Sequence, residues 1–160
     1  MISIKVKNAM KKEVIKFYPE DSIVKVLRTF SKNKISGAPV IDKSNKVIGI
    51  ITDSDIIKKL DIKTPKVHFS RSPDFLLILA GLKSRRSAEE IKNEMEVVKK
   101  FKVKDFMKSD VITTTKDENL MKAARLLSEH DITRLPVVNK SNKLVGIIAR
   151  GDIITALSKM

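Results

Sequence analysis

The chain has 160 residues, of which 42% are hydrophobic and 32% are charged, the composition of a folded protein that can bury one sizeable core or two small ones. Its formal net charge of +14 predicts an anionic partner, unless the lysines only form a solvated surface. Cysteine is absent and the two histidines stand apart, which disfavours disulfides, a thiolate nucleophile and a metal site.

No segment predicts export or membrane insertion. The amino-terminal stretch MISIKVKNAMKKEV carries lysines where a signal peptide has its apolar region. The longest apolar run, Phe75–Leu82, has eight residues, whereas a membrane helix needs about 20. We therefore expect a cytoplasmic protein without a membrane segment.

An internal repeat organises the chain. A shift of 97 positions aligns Lys5–Leu60 with Lys102–Leu157 without a gap, and 24 of the 56 aligned residues are identical. Such a repeat indicates a duplicated structural unit. We predict a first repeat at 1–60, a connector at 61–101 and a second repeat at 102–160.

Each repeat is predicted to fold as β-α-β-β-α. In the first, VIKF from Val14 is a short strand, and Asp21 or Ser22 caps a helix at residues 23–33 whose apolar residues recur at helical spacing. ISGAPV opens a second strand, DKSNK forms a hairpin turn, VIGII is the return strand, and DSDIIKKL is the closing helix. Because one such unit is marginally stable alone, we expect two pseudo-symmetric units packed sheet to sheet, an α/β (α+β) fold.

The connector is predicted to be helical. SRSPD marks a helix start with proline in the first turn, and SAEE is a capping box. Ile91, Met95 and Val98 form an apolar stripe on the helix that follows. The sequence leaves open whether this stripe packs on the repeats, on a second subunit or on another protein.

The phrase GIITDSDI, repeated as GIIARGDI, holds the candidate binding residues. Thr52 and Asp55 have the spacing of a capping box, which is a purely structural interpretation. In the second copy Ala149 replaces the threonine, yet Asp152 remains. An aspartate at a strand-to-helix corner can accept hydrogen bonds from the two hydroxyls of a ribose, and a helix amino terminus suits phosphate. Gly49 and Gly146 are interpreted first as packing residues.

The two repeats together resemble a pair of cystathionine β-synthase (CBS) domains, or Bateman module. The resemblance is carried by VKNAM and VKDFM, ISGAPVID and ITRLPVVN, and GIITDSDI and GIIARGDI, and it covers both repeats but not the connector. It implies binding of an adenosine-containing ligand, such as AMP, ADP, ATP, S-adenosylmethionine or methylthioadenosine, in two clefts between the repeats.

The resemblance also implies which residues line the clefts. Asp55, supported by Thr52, would hold the ribose in one cleft, and Asp152 would do so in the other, where Ala149 departs from the family pattern; we rank the Asp55 cleft first. The residues that would accompany Asp55 are Ile50, Ile112, Ile132, Thr133 and Arg134. Those that would accompany Asp152 are Ile15, Ile35, Ser36, Gly37 and Ile147.

The function expected from these features is regulatory. No nucleophile with an adjacent base is evident, so we predict no enzyme activity, no catalytic cofactor and no metal. A ligand-induced change of shape would be read by an effector protein, and a homodimer is expected. The alternatives are a basic docking module for nucleic acid or an acidic protein surface, whose binding would weaken steeply with salt, and a purely structural domain.

Overall fold

The computed structural model describes residues 3–63 and 96–160. The predicted helix starts at SRSPD and SAEE, together with Ile91 and Met95, lie outside the described residues. Val98, the third member of the predicted stripe, lies in a helical stretch at 96–99 and is buried. Within the described residues no helix is long and apolar enough to cross a membrane.

The elements of the two repeats follow the same order. Each repeat has a short 3-10 turn, a helix, two strands and a closing helix. In the first repeat these are Val6–Asn8, α1 (Ile23–Asn33), β1 (Gly37–Ile41), β2 (Val47–Thr52) and α2 (Asp53–Lys63). In the second they are Val103–Asp105, α3 (Leu120–Glu129), β3 (Arg134–Val138), β4 (Leu144–Ala149) and α4 (Arg150–Ser158). The strands form two two-stranded sheets, β1 with β2 and β3 with β4, and the mixed fold class is confirmed.

Helix α1 has the predicted bounds because its cap and its apolar stripe agree. The hydroxyl of Ser22 accepts a hydrogen bond from the Val24 N–H at 3.2 Å, which satisfies one of the free donors of the first turn. The stripe residues Ile23, Val26 and Phe30 are all buried. Asn119 caps α3 in the same way, by accepting from the Met121 N–H at 2.8 Å.

The predicted first strand of each repeat is reduced to a single bridge. Thr114 pairs in parallel with Val137, and its N–H donates to the Pro136 carbonyl at 3.0 Å. The next bond of a parallel ladder would require an N–H from Pro136 to the carbonyl of Ile112, and proline has none. In the first repeat Phe17 pairs with Val40 in the same way, next to Pro39. The sequence prediction of a strand at VIKF overlooked this effect of the proline in the partner strand.

The chain forms two compact units, and each combines segments of both repeats. The α1 unit consists of Phe17–Val40 and Ile50–Lys108, and the α3 unit consists of Met1–Lys16, Ile41–Gly49 and Ser109–Met160. The amino-terminal turn of each repeat therefore lies in the unit that holds the main helices of the other repeat. The repeat boundaries proposed from the sequence stay a prediction.

The exchanged turns contribute to the cores. In the α3 unit, Val6 is fully buried in one apolar cluster with Leu120, Leu127, Leu135 and Ile148, and its N–H donates to the Glu118 carbonyl at 2.9 Å. The α1 unit repeats the arrangement, because Val103 is fully buried and its N–H donates to the Asp21 carbonyl at 2.9 Å. Each exchanged segment is thus part of a core and is held by backbone hydrogen bonds.

The two hairpin turns contact each other within the α3 unit. Asn45 and Asn142 adopt positive φ values of 64° and 60°, a conformation that asparagine tolerates in tight turns. The Val47 N–H donates to the Asn142 carbonyl at 3.1 Å, and the Leu144 N–H donates to the Asn45 carbonyl at 3.0 Å. The asparagine of the repeated run KSNK therefore has the same role in both turns.

Glu20 provides a pH-dependent contact within the α1 unit. Its carboxylate accepts hydrogen bonds from the ammonium groups of Lys102 and, at 2.7 Å, Lys104. These bonds lower the pKa of Glu20 from 4.5 to about 2. Because the folded-state pKa is depressed, the contribution of Glu20 to stability is present above pH 4.5 and is lost as the pH falls toward 2.

We therefore expect Glu20→Gln to lower the free energy of unfolding at neutral pH. The difference in this free energy between variant and wild type should shrink as the pH falls from 4.5 toward 2. Urea unfolding at a series of pH values measures it. About 1 M salt should also reduce the difference, since the groups are exposed. Glu96→Gln is the control, because among the described residues its carboxylate pairs with the Lys99 ammonium of the same helix, three residues away. A difference that stays constant from neutral pH to pH 2 would contradict the assignment.

Candidate functional site

The two repeated aspartates occupy the same position in the fold. Strand β2 ends at Thr52 and α2 begins at the next residue, and β4 ends at Ala149 with α4 following directly. Asp55 and Asp152 are each the third residue of their helix. At this position a carboxylate lies beside the free N–H groups and the positive end of the helix dipole.

Asp55 is 5% exposed and both of its carboxylate oxygens have a partner. One oxygen accepts a hydrogen bond from the Thr52 hydroxyl at 2.8 Å, and that hydroxyl accepts from the Asp55 N–H at 3.2 Å. The other oxygen lies 3.1 Å from the Lys108 ammonium. These contacts are those of a helix amino-terminal cap. Because a carboxylate has about four acceptor positions, capacity for further hydroxyl groups remains.

Asp152 has looser contacts. One carboxylate oxygen accepts from the Ala149 N–H at 2.8 Å, and the other lies 3.7 Å from the Lys11 ammonium. The sequence analysis took the presence of Asp152 without a threonine partner as a sign of a role beyond helix capping. That argument was incomplete, because the half of the capping box made by the aspartate and the backbone persists without a hydroxyl.

Lys11 and Lys108 lie beside the two aspartates, and the sequence reasoning missed both. They occupy equivalent positions in the two repeats, and each exchanges two backbone hydrogen bonds with a strand residue, Lys11 with Ile147 and Lys108 with Ile50, all at 2.9 Å. Their side chains are largely exposed, 71% and 65%. The signal in the sequence was the Met-Lys pair, which stands at the same place in both repeats.

Gly146 serves the packing of this site. A Cβ atom at this position would lie 2.8 Å from the Met10 sulfur and 3.0 Å from the Lys11 carbonyl oxygen. Glycine therefore lets the backbone that carries Lys11 approach β4. The preference for a packing role over a ligand contact is supported for this glycine.

The other predicted residues are distributed over both units. Asp53 begins α2 and donates its N–H to the Ser36 carbonyl at 2.9 Å, and Arg150 donates its N–H to the Thr133 carbonyl at 3.1 Å. The α1 unit holds Ile35, Ser36, Gly37, Ile50, Thr52 and Asp55, and the α3 unit holds Ile15, Ile112, Ile132, Thr133, Arg134, Ile147 and Asp152. The pairing of each aspartate with residues of the other repeat stays a prediction.

Comparison with known proteins identifies relatives of the whole chain. The family model described as the CBS domain matches residues 6–62 and 103–159. A protein of Methanocaldococcus jannaschii, MJ1426, is 38% identical over 152 residues, which span 95% of this chain and 90% of that protein. The similarity therefore extends over both repeats and the connector.

Solved structures share the fold. The structure of CBSX2 from Arabidopsis thaliana in complex with AMP has a TM-score of 0.68 and 26% identity, and the match covers 98% of this chain and 97% of that chain. The CBS domain pair of protein MJ0100, in complex with methylthioadenosine and S-adenosylmethionine, has a TM-score of 0.69 and 24% identity, covering 96% and 99%.

Proposed function

The chain belongs to the CBS domain family, and from this premise we propose that it is a non-catalytic regulatory module that binds an adenosine-containing ligand. The observation that carries the proposal is the repeated pair of an aspartate at the third position of a helix and a lysine beside it, Asp55 with Lys108 and Asp152 with Lys11. The AMP complex of the similar protein CBSX2 supports adenosine as the ligand class.

The chemistry of the Asp55 position suits a ribonucleotide. The carboxylate would accept hydrogen bonds from the 2′- and 3′-hydroxyls, in addition to the bond from Thr52 that is already present. The Lys108 side chain is exposed enough to turn from the carboxylate to a phosphate of the ligand. AMP, ADP and ATP are therefore the ligands we favour at Asp55.

Regulation requires that the ligand distinguish two arrangements of the protein. A ligand shifts an equilibrium only through differential affinity, so the bound and free forms should differ in shape or stability. We propose that an effector protein detects this difference, and that the working form is a homodimer. Equal affinity for the effector with and without ligand would contradict the regulatory part of the proposal.

Thermal unfolding in the presence of candidate ligands tests the proposed function. The panel is AMP, ADP, ATP, S-adenosylmethionine, methylthioadenosine and 2′-deoxy-AMP. A ligand at about 100 times its Kd stabilises the folded state by roughly 2.7 kcal/mol, which gives a clear rise in Tm. We expect AMP to raise the Tm and 2′-deoxy-AMP to raise it less. If no adenosine compound changes the Tm, the proposed function is wrong.

A further inference from the structure

A cavity of about 470 Å³ lies in the α3 unit beside Asp152. It is formed between the amino-terminal segment and one face of α4, where Asp152, Thr155 and Ala156 are neighbours at helical spacing. Ser3, Asn8 and Ala9 line it from the amino-terminal side. The volume falls within the range of small-molecule pockets, roughly 300–1,000 Å³.

The α1 unit has larger residues at the equivalent positions. Three residues that line the cavity, Ile4, Ala9 and Ala156, correspond to Phe101, Phe106 and Lys59 under the 97-residue shift. The two phenylalanine rings pack edge to face with centroids 5.4 Å apart. Three smaller side chains in the α3 unit therefore leave a space that side chains occupy in the α1 unit.

Lys59 shows which chemical group fits this space. Its ammonium donates to the carbonyl oxygens of Asp105 and Phe106 at 3.4 and 3.3 Å. The equivalent carbonyls in the α3 unit are those of Asn8 and Ala9, and within residues 3–63 and 96–160 no group donates a hydrogen bond to them. Among the described residues, the α1 unit thus holds an ammonium group on two carbonyl oxygens, and the equivalent carbonyls of the α3 unit face a cavity in its place.

We propose that the cavity beside Asp152 binds an aliphatic primary ammonium group. The carbonyl oxygens of Asn8 and Ala9 and the carboxylate of Asp152 offer three acceptors for the three N–H donors of an ammonium. One oxygen of the Asp152 carboxylate accepts from the Ala149 N–H. The other lies 3.7 Å from the mostly exposed Lys11 ammonium, so this oxygen has room for a second cation.

The ammonium has two possible sources. One is a free aliphatic amine, and the other is the amino end of an adenosine derivative whose ribose lies at Asp152, a source that rests on the proposed function. Lys159 also lines the cavity, so a ligand that carries a carboxylate beside its ammonium is favoured over a simple amine. S-adenosylmethionine has both groups, whereas methylthioadenosine has neither.

Calorimetric titration of the full chain tests the inference with 1,4-diaminobutane, S-adenosylmethionine and methylthioadenosine. Ala156→Lys introduces the lysine that the α1 unit has at this position and should fill the cavity. Ala156→Met fills the space without a charge and serves if the lysine variant does not fold. Ile154→Lys is the control, because Ile154 is on the same helix but 67% exposed, so the charge is added outside the cavity.

We expect Ala156→Lys to weaken the binding of S-adenosylmethionine at least tenfold and Ile154→Lys to change its affinity less than twofold. The affinity for methylthioadenosine should stay within twofold of the wild-type value in both variants. Loss of 1,4-diaminobutane binding in Ala156→Lys would support the same cavity with a free amine as the source. The inference is overturned if neither amine binds the wild type, or if both lysine variants weaken binding equally. Binding of AMP or methylthioadenosine without any amine effect would leave the proposed function standing and reject only this site.

Discussion

Asp55→Asn is expected to weaken AMP binding by roughly 10- to 100-fold, because hydrogen bonds to a charged group are worth about 1.5–3 kcal/mol. Asparagine has nearly the shape of aspartate and can still accept from the Thr52 hydroxyl, so the start of α2 should persist. The charge that would accept the ribose hydroxyls, and that holds Lys108 at 3.1 Å, is removed. Calorimetric titration with AMP measures the loss.

The 2′-deoxy ligand separates ribose recognition from a general effect of charge. If Asp55 accepts a hydrogen bond from the 2′-hydroxyl, Asp55→Asn should weaken the binding of 2′-deoxy-AMP less than that of AMP. The deoxy compound lacks this hydrogen bond before the substitution is made. Asp53→Asn removes the same charge two residues earlier, where the carboxylate contacts the Ser54 N–H, and it should leave affinity within about twofold. Equal losses for AMP and 2′-deoxy-AMP would refute the proposed hydrogen bond from the 2′-hydroxyl to Asp55.

Asp152→Asn is the corresponding substitution at the second aspartate, and comparing its effect on AMP affinity with that of Asp55→Asn ranks the two positions. Asp152 lacks a threonine partner and has a side chain 15% exposed, against 6% for Asp55. The sequence ranked the Asp55 position first because Thr52 is present. The structure adds that the Asp55 carboxylate already has the more complete set of partners, so a ligand there competes with more existing contacts than at Asp152.

Local elements were predictable because their signals are local. The helix at Ile23–Asn33 has the bounds predicted from a cap at Asp21 or Ser22 and from the apolar spacing, and the structure identifies Ser22 as the cap. The turn at KSNK followed from residues that tolerate positive φ. The predicted strand at VIKF failed for a reason that lies in its partner strand. Phe17 forms a single bridge with Val40, and the neighbouring Pro39 has no N–H with which to extend the ladder.

The site was predictable only where the repeat preserved its residues. Asp55 and Asp152 emerged because the second copy kept the aspartate while its neighbours changed. Lys11 and Lys108 carry the same repeat signal, but their relation to the aspartates depends on the pairing of the amino-terminal segment with β2 or β4, which the sequence alone does not give. The cavity beside Asp152 needs both the pairing and a comparison of side-chain volumes between the units.

The exchange of amino-terminal turns between the repeats also leads to a large expected effect. Val6 has no exposed surface and packs with α3 residues and strand residues of the second repeat. Val6→Ala removes two methyl groups from this core and leaves a small cavity, so we expect the free energy of unfolding to fall by about 2–3 kcal/mol. Urea unfolding measures the change in stability.

The elements that lose stability show whether the amino-terminal turns are exchanged between the repeats or each repeat keeps its own turn. In Val6→Ala, hydrogen exchange should accelerate in α3 and β4 more than in α1, because Val6 belongs to the α3 unit. Val103→Ala should show the reverse. Lys7→Ala is the control, since among the described residues the Lys7 side chain forms an exposed ion pair with Asp117, and exposed ion pairs contribute little to stability. Faster exchange confined to α1 in Val6→Ala would mean that the amino-terminal turn packs on its own repeat.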